Sequence, residues 1–172
     1  EYHQAFKSSR FLADFGYTDG YKKTSKTKKA GNKSHFFSKF IKNFNSEKGN
    51  ENSVEINLQH VTDKKYLKLY KIESNLVDYE TDTLENFIDF SHYNDESNFS
   101  LAMRAGNYRT LKDSYNDKYE NIFPDLSLSK SLFSERFGSG EIQTNFNVHN
   151  FDTNKTKKLL INNVDWEIEK SN

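Results

Sequence analysis

The stretch SVEINLQHV, residues 53–61, alternates strictly: Val54, Ile56, Leu58 and His60 fall on one side, Ser53, Glu55, Asn57 and Gln59 on the other. Period-two alternation sends successive side chains to opposite faces of a pleated strand, so this segment reads as a strand with one apolar face and one wet face. Downstream, TLENFIDFSHY (83–93) repeats the pattern. There Leu84, Ile88 and Phe90 share a face with Asn86, and Glu85 and Asp89 lie opposite. Between the two runs lies TDKKYLKLYKI (62–72), whose Tyr66, Leu67, Leu69, Tyr70 and Ile72, with Leu76 beyond, suit a short helix or a packed irregular loop.

The same alternation extends in both directions. YHQAFKSSRFLADFGYTDG (2–20) reads as a hairpin turning at 7–10, with Phe11, Ala13, Phe15 and Tyr17 on one face. A basic stretch (21–34) follows, read as a solvated loop or as a patch for anionic headgroups, and then the aromatic run HFFSKFIKNF (35–44). After the 83–93 strand, the turn NDESN (94–98) suits a hairpin, and the chain returns with Phe99, Leu101, Met103 and Ala105 opposing Ser100, Ala102 and Arg104. In YENIFPDLSLSKSL (119–132), Pro124 marks a strand start, an edge or a bulge because it cannot donate to a ladder. In GEIQTNFNVHNF (140–151), Ile142, Phe146 and Val148 oppose Glu141, Gln143, Asn145 and Asn147. A last run, 159–169, aligns Val164, Trp166 and Ile168. About eight antiparallel, hairpin-connected strands are expected, with no helix long enough to cross over.

Composition narrows the function classes. Twenty-five acidic and 25 basic groups leave no net charge, which argues against a nucleic-acid binder driven by bulk charge. The absence of Cys removes disulfides, thiolate chemistry and Cys-ligated zinc. Hydrophobic residues are only 34% while aromatics reach 15%. A sheet with one apolar and one polar surface reconciles these figures, because only half its strand residues need be apolar. The sequence begins at Glu1 with no signal peptide and no run of about 18 apolar residues, and it reads as an internal piece of a longer protein.

No catalytic constellation emerges, and neither an enzyme nor a cofactor is expected. His3, His35, His60, His92 and His149 lie on separate segments without ligand spacing. Asp78, Glu80 and Asp82 imitate the start of a calcium loop, but Thr83 stands where an EF-hand needs Gly. Asn98-Phe-Ser100 and Asn154-Lys-Thr156 match the N-glycosylation pattern but coincide with turns.

Strands of about 9–11 residues with dyad alternation and aromatic ends have the signature of transmembrane β-barrels, shared in part with soluble β-sandwiches. The regularly polar second face favours the barrel. On that reading Glu55, Asn57, Gln59, Glu85, Asp89, Arg104, Gln143, Asn145 and Asn147 face the lumen. Val54, Ile56, Leu58, Leu84, Ile88, Phe90, Phe99, Leu101, Met103, Ile142, Phe146 and Val148 face outer-membrane lipid. An Arg at Ile56 should then be costly and an Arg at Asn57 tolerated.

Four segments in order resemble the β-barrel domain of the LptD family, the lipopolysaccharide-assembly proteins of Gram-negative outer membranes, in its α-proteobacterial form. They are the hairpin at 1–20, GNKSHFFSKF (31–40), HVTDKKYLKLYKI (60–72) and NIFPDLSL (121–128). The third is the most distinctive, with Thr62, Asp63, Tyr66, Leu67 and Tyr70 at the positions of a Val-Ser-Asp-Asp-x-Tyr-Leu-x-x-Tyr pattern. Thr62 stands where Ser is common, Phe123-Pro124 replaces Leu-Pro, and the Cys that some relatives use are missing. The resemblance covers roughly residues 1–150. It implies that 1–172 is part of a larger barrel that receives lipopolysaccharide from a periplasmic bridge, encloses an LptE-type lipoprotein and releases its cargo into the outer leaflet. Another outer-membrane porin or uptake barrel and a soluble β-sandwich binding module are the alternative readings.

Overall fold

The computed structural model describes residues 1–19, 23–24, 27–28, 32–46 and 49–168. Its strands are β1 (Tyr2–Ala5), β2 (Ser9–Thr18), β3 (Lys23–Thr24), β4 (Thr27–Lys28), β5 (Lys33–Ser46), β6 (Asn50–Val61), β7 (Thr83–Asn94), β8 (Phe99–Thr110), β9 (Tyr119–Ser134), β10 (Gly138–Phe151) and β11 (Thr156–Glu167), with one helix, α1 (Tyr66–Tyr70). Nine strands form one antiparallel sheet in the order β1-β2-β5-β6-β7-β8-β9-β10-β11, and β3 and β4 pair separately. The sheet is open, with β1 and β11 at its edges. The expectation of about eight strands falls one short. Half of the basic stretch 21–34, namely 21–22, 25–26 and 29–31, lies outside the described residues.

The up-and-down order follows from the connections. Segments 6–8, 47–49, 95–98 and 135–137 join strands at one end of the sheet, and turns this short force sequence neighbours to pair. At the opposite end the connections are 19–32, 62–82, 111–118 and the short 152–155. Long connections are thus gathered at one end.

Register fixes the faces, since directly opposed residues of antiparallel strands share one side. Glu55 opposes Asp89, Asp89 opposes Arg104, Arg104 opposes Asp125, and Asp125 opposes Asn147. On the other face Ile56 opposes Ile88, which opposes Ala105; Phe90 opposes Met103, which opposes Leu126, which opposes Phe146. Pro124 sits in a bulge. Between the pairs Arg104–Asp125 and Gly106–Ile122, β9 carries one residue more than β8.

The buried core lies at the long-connection end. Phe37, Val61, Tyr66, Leu67, Val77, Leu84 and Leu111 form one cluster, with Tyr70, Ile72, Leu76 and Tyr79 packed against it. The Asp63 carboxylate accepts the Lys65 N–H at 2.8 Å, and the Asp63 carbonyl accepts the Tyr66 N–H at 3.0 Å, which starts α1. Lys71, at φ 51°, ends it in the left-handed region. One facing expectation fails here. Leu84, read as lipid-facing, is 1% exposed. Leu84 keeps the parity of Ile88 in an unbroken β7–β8 register but packs into the cluster with the loop residues Tyr66, Leu67 and Val77.

Candidate functional site

The candidate functional surface is the sheet itself, two faces of opposite chemistry. The polar face is knit across neighbouring strands. Lys39 pairs with Glu55 at 2.7 Å, the Ser53 and Ser91 hydroxyls meet at 2.7 Å, and those of Ser100 and Ser129 at 2.9 Å. Arg104 Nε donates to Asp89 at 2.6 Å while its second amino group reaches the other carboxylate oxygen, and its guanidinium lies 4.4 Å from the Phe87 ring centroid. His149 Nδ1 lies 2.6 Å from Glu120. Bidentate geometry of the Arg104–Asp89 kind holds both side chains upright on the face.

Gln143 and Asn145 stand on this same face, opposed by Ser129 and Ser127, and Glu85 is exposed opposite Tyr108. Asn147 Oδ1 is buried without a hydrogen-bond partner. Asn57 and Gln59, expected to line a lumen, stand on this side of the sheet opposed by Lys39 and Phe37 and bond to the neighbouring strand. Asn57 is 7% exposed, and its amide donates to the Glu85 carbonyl at 2.7 Å. Gln59 Oε1 accepts the Glu85 N–H at 2.8 Å, and Asn86 Oδ1 accepts the Gln59 N–H at 2.8 Å. The backbone ladder between β6 and β7 runs from Asn50–Asn94 to Asn57–Phe87. Beyond that pair these side chains substitute for the backbone bonds. Burial and this bond predict that Asn57 tolerates Arg poorly, where the sequence alone led to the opposite expectation.

The opposite face carries Val54, Ile56, Leu58, Phe90, Phe99, Leu101, Met103, Ile142, Phe146 and Val148 with Ile88, and none of these is buried. Ile88 is 53% exposed, Leu160 60% and Val164 64%, so no layer of described residues covers them. Toward the turn end this face becomes polar. His92 Nδ1 meets Asn52 Oδ1 at 2.7 Å, and Lys42 and Lys130 stand on the same rim. Toward the long-connection end it carries Asn107, bonded to Asn121 at 2.6 Å, and Arg109, which reaches the Val61 carbonyl at 3.3 Å. Thr144 and Asn162 interrupt the apolar band.

The five loop positions 62, 63, 66, 67 and 70 dock the loop on the sheet. Thr62 Oγ1 accepts the Ser34 N–H at 2.9 Å, and Asp63 pairs with Lys33 at 3.0 Å. Tyr66 and Leu67 are 1% and 0% exposed, and the Tyr70 ring lies 5.2 Å from that of Tyr66. Tyr66 OH lies 3.4 Å from Nδ1 of buried His35, whose Nε2 is 3.4 Å from Asp14. Sequence reasoning missed a second clamp on this loop. Asp82 binds Lys68 at 2.8 Å and Lys112 at 2.7 Å. These hydrogen bonds, Lys112 first, hold the Asp82 carboxyl below its ordinary range, and Asp82 in turn raises Lys112. Among the described residues no group of three or more His, Cys, Asp or Glu could hold a metal ion.

Against models of known protein families, curated proteins and solved structures, the chain gives no match.

Proposed function

We propose that the chain is wall and lumen of a transmembrane β-barrel in the outer membrane, of the lipopolysaccharide-assembly type, with no chemical step of its own. The carrying observation is the division of one continuous nine-stranded meander into a polar, cross-linked face and an uncovered aliphatic and aromatic face. Apart from the two-residue β3 and β4, the strands from β2 to β11 run 10 to 16 residues, enough for the roughly 9–11 residues a tilted strand needs to span a bilayer. Long connections at one end and short turns at the other match the extracellular and periplasmic rims of such barrels. The apolar face suits lipid, where every backbone group must pair within the wall. The polar face suits a hydrated passage for a sugar chain beside an LptE-type lipoprotein. The finer assignment rests on the segment order and on the docked loop with Asp63, Tyr66, Leu67 and Tyr70.

The test uses the missing cysteines. Single Cys residues are introduced at Ile56, Ile88 or Ile142 and, separately, at Gln143 or Asn145, then labelled with a fluorophore in the whole protein reconstituted in bilayers. Brominated lipid should quench the first set and aqueous iodide the second. Equal quenching of both sets by iodide overturns the membrane reading. Photocrosslinkers at Gln143 and Asn145 should then capture lipopolysaccharide in cells. If the facing test succeeds and this capture fails, the chain belongs to another kind of outer-membrane barrel.

A further inference from the structure

Where the α1 loop meets the connection after β8, Leu69 and Leu111 line a cavity of about 400 Å³ whose other walls are Lys64, Lys65, Lys68 and Lys112. Two carboxylates answer these four ammonium groups. Asp113 lies 3.6 Å from Lys64 and 3.8 Å from Lys65, and Asp82 clamps Lys68 and Lys112. Two positive charges are left over, around an apolar floor. Lys65 is 73% and Lys68 56% exposed, so the surplus faces solvent.

The geometry points to a binding site for an amphiphile with a phosphate monoester head, its alkyl chain on Leu69 and Leu111 and its head among the lysines. A phosphate monoester carries about −1.5 to −2 charges near neutrality, which matches the surplus, whereas a carboxylate head matches half of it. The volume falls within the range of small-molecule sites, about 300–1,000 Å³. Lysine stems can lie along an alkyl chain while their heads stay wet. The cavity is independent of the barrel reading, because a sheet outside a membrane would carry it unchanged.

The test is calorimetric titration of the whole protein, held in amphipol, with decyl phosphate below its micellar concentration. Saturable one-to-one binding is expected, weakening about threefold or more for each methylene removed and weakening in high salt. Lys64→Gln with Lys65→Gln should lower affinity about tenfold, and Lys64→Arg with Lys65→Arg should restore it. Leu69→Asn should weaken decyl phosphate at least tenfold. Unchanged binding in the Gln double variant, equal binding of decyl maltoside, or equal binding of inorganic phosphate overturns the site. Each result leaves the facing experiment standing, and failure of that experiment leaves this one intact.

Discussion

Ile56 and Asn145 test the two faces one side chain at a time. On the proposed membrane reading, Ile56→Arg near the midplane should destabilise the protein by about 2–4 kcal/mol, read by urea unfolding in liposomes, while Asn145→Arg should change little. Equal losses would sink the assignment. Asn57→Arg should cost about 1–3 kcal/mol, because the Glu85 carbonyl loses a buried partner. Which residues share a side of the sheet was largely legible in the sequence, because parity carries from one opposed pair to the next without any knowledge of packing. What stayed hidden was cover: alternation says which side a residue takes but not that Leu84 and Asn57 on those sides are buried, 1% and 7% exposed. Close approaches were equally hidden. Trp166 lies close against Gly140, where a Cβ would come within 2.4 Å of its ring, and its indole N–H donates to the Phe137 carbonyl at 2.6 Å. Only pairing shows that those two residues meet.

Among elements, the loop 62–82 departs most from the sheet's regularity, and its attachment has a pH signature. The Asp82 carboxyl is held below its ordinary value by Lys112 and Lys68. A depressed carboxylate contributes stability that is complete above the unfolded value, about 3.9. That contribution fades as pH falls below it toward the folded value. Melting temperatures of the protein and its Asp82→Asn variant should therefore differ at pH 6 and converge as pH drops below about 3.9. A difference that persists unchanged in acid would show that the carboxylate charge is irrelevant. The sequence predicted a short helix or packed loop here and both occur, α1 followed by turns. The clamp was illegible. Lys68, Asp82 and Lys112 come from three segments brought together only when β7 and β8 pair, and the lysine-rimmed cavity is hidden in the sequence for the same reason.

At the scale of the whole molecule, strand order was the most legible property, because short turns leave a chain little choice but to pair with its predecessor. The strand count was less so: about eight were expected and the sheet has nine. The two edges have a consequence of their own. Strands alternate in direction along the sheet, and there are nine of them, so β1 and β11 run the same way. An odd meander cannot close on itself with antiparallel neighbours throughout. Its two borders can meet only in a parallel seam, whereas a barrel built wholly of antiparallel pairs must interpose an odd number of further strands between β11 and β1. Bacterial single-chain barrels have even counts. The whole protein should therefore resist disulfide formation between cysteines introduced at Gln4 and Asn162. A rapid, complete cross-link there would make this sheet a nine-stranded barrel sealed by a parallel joint.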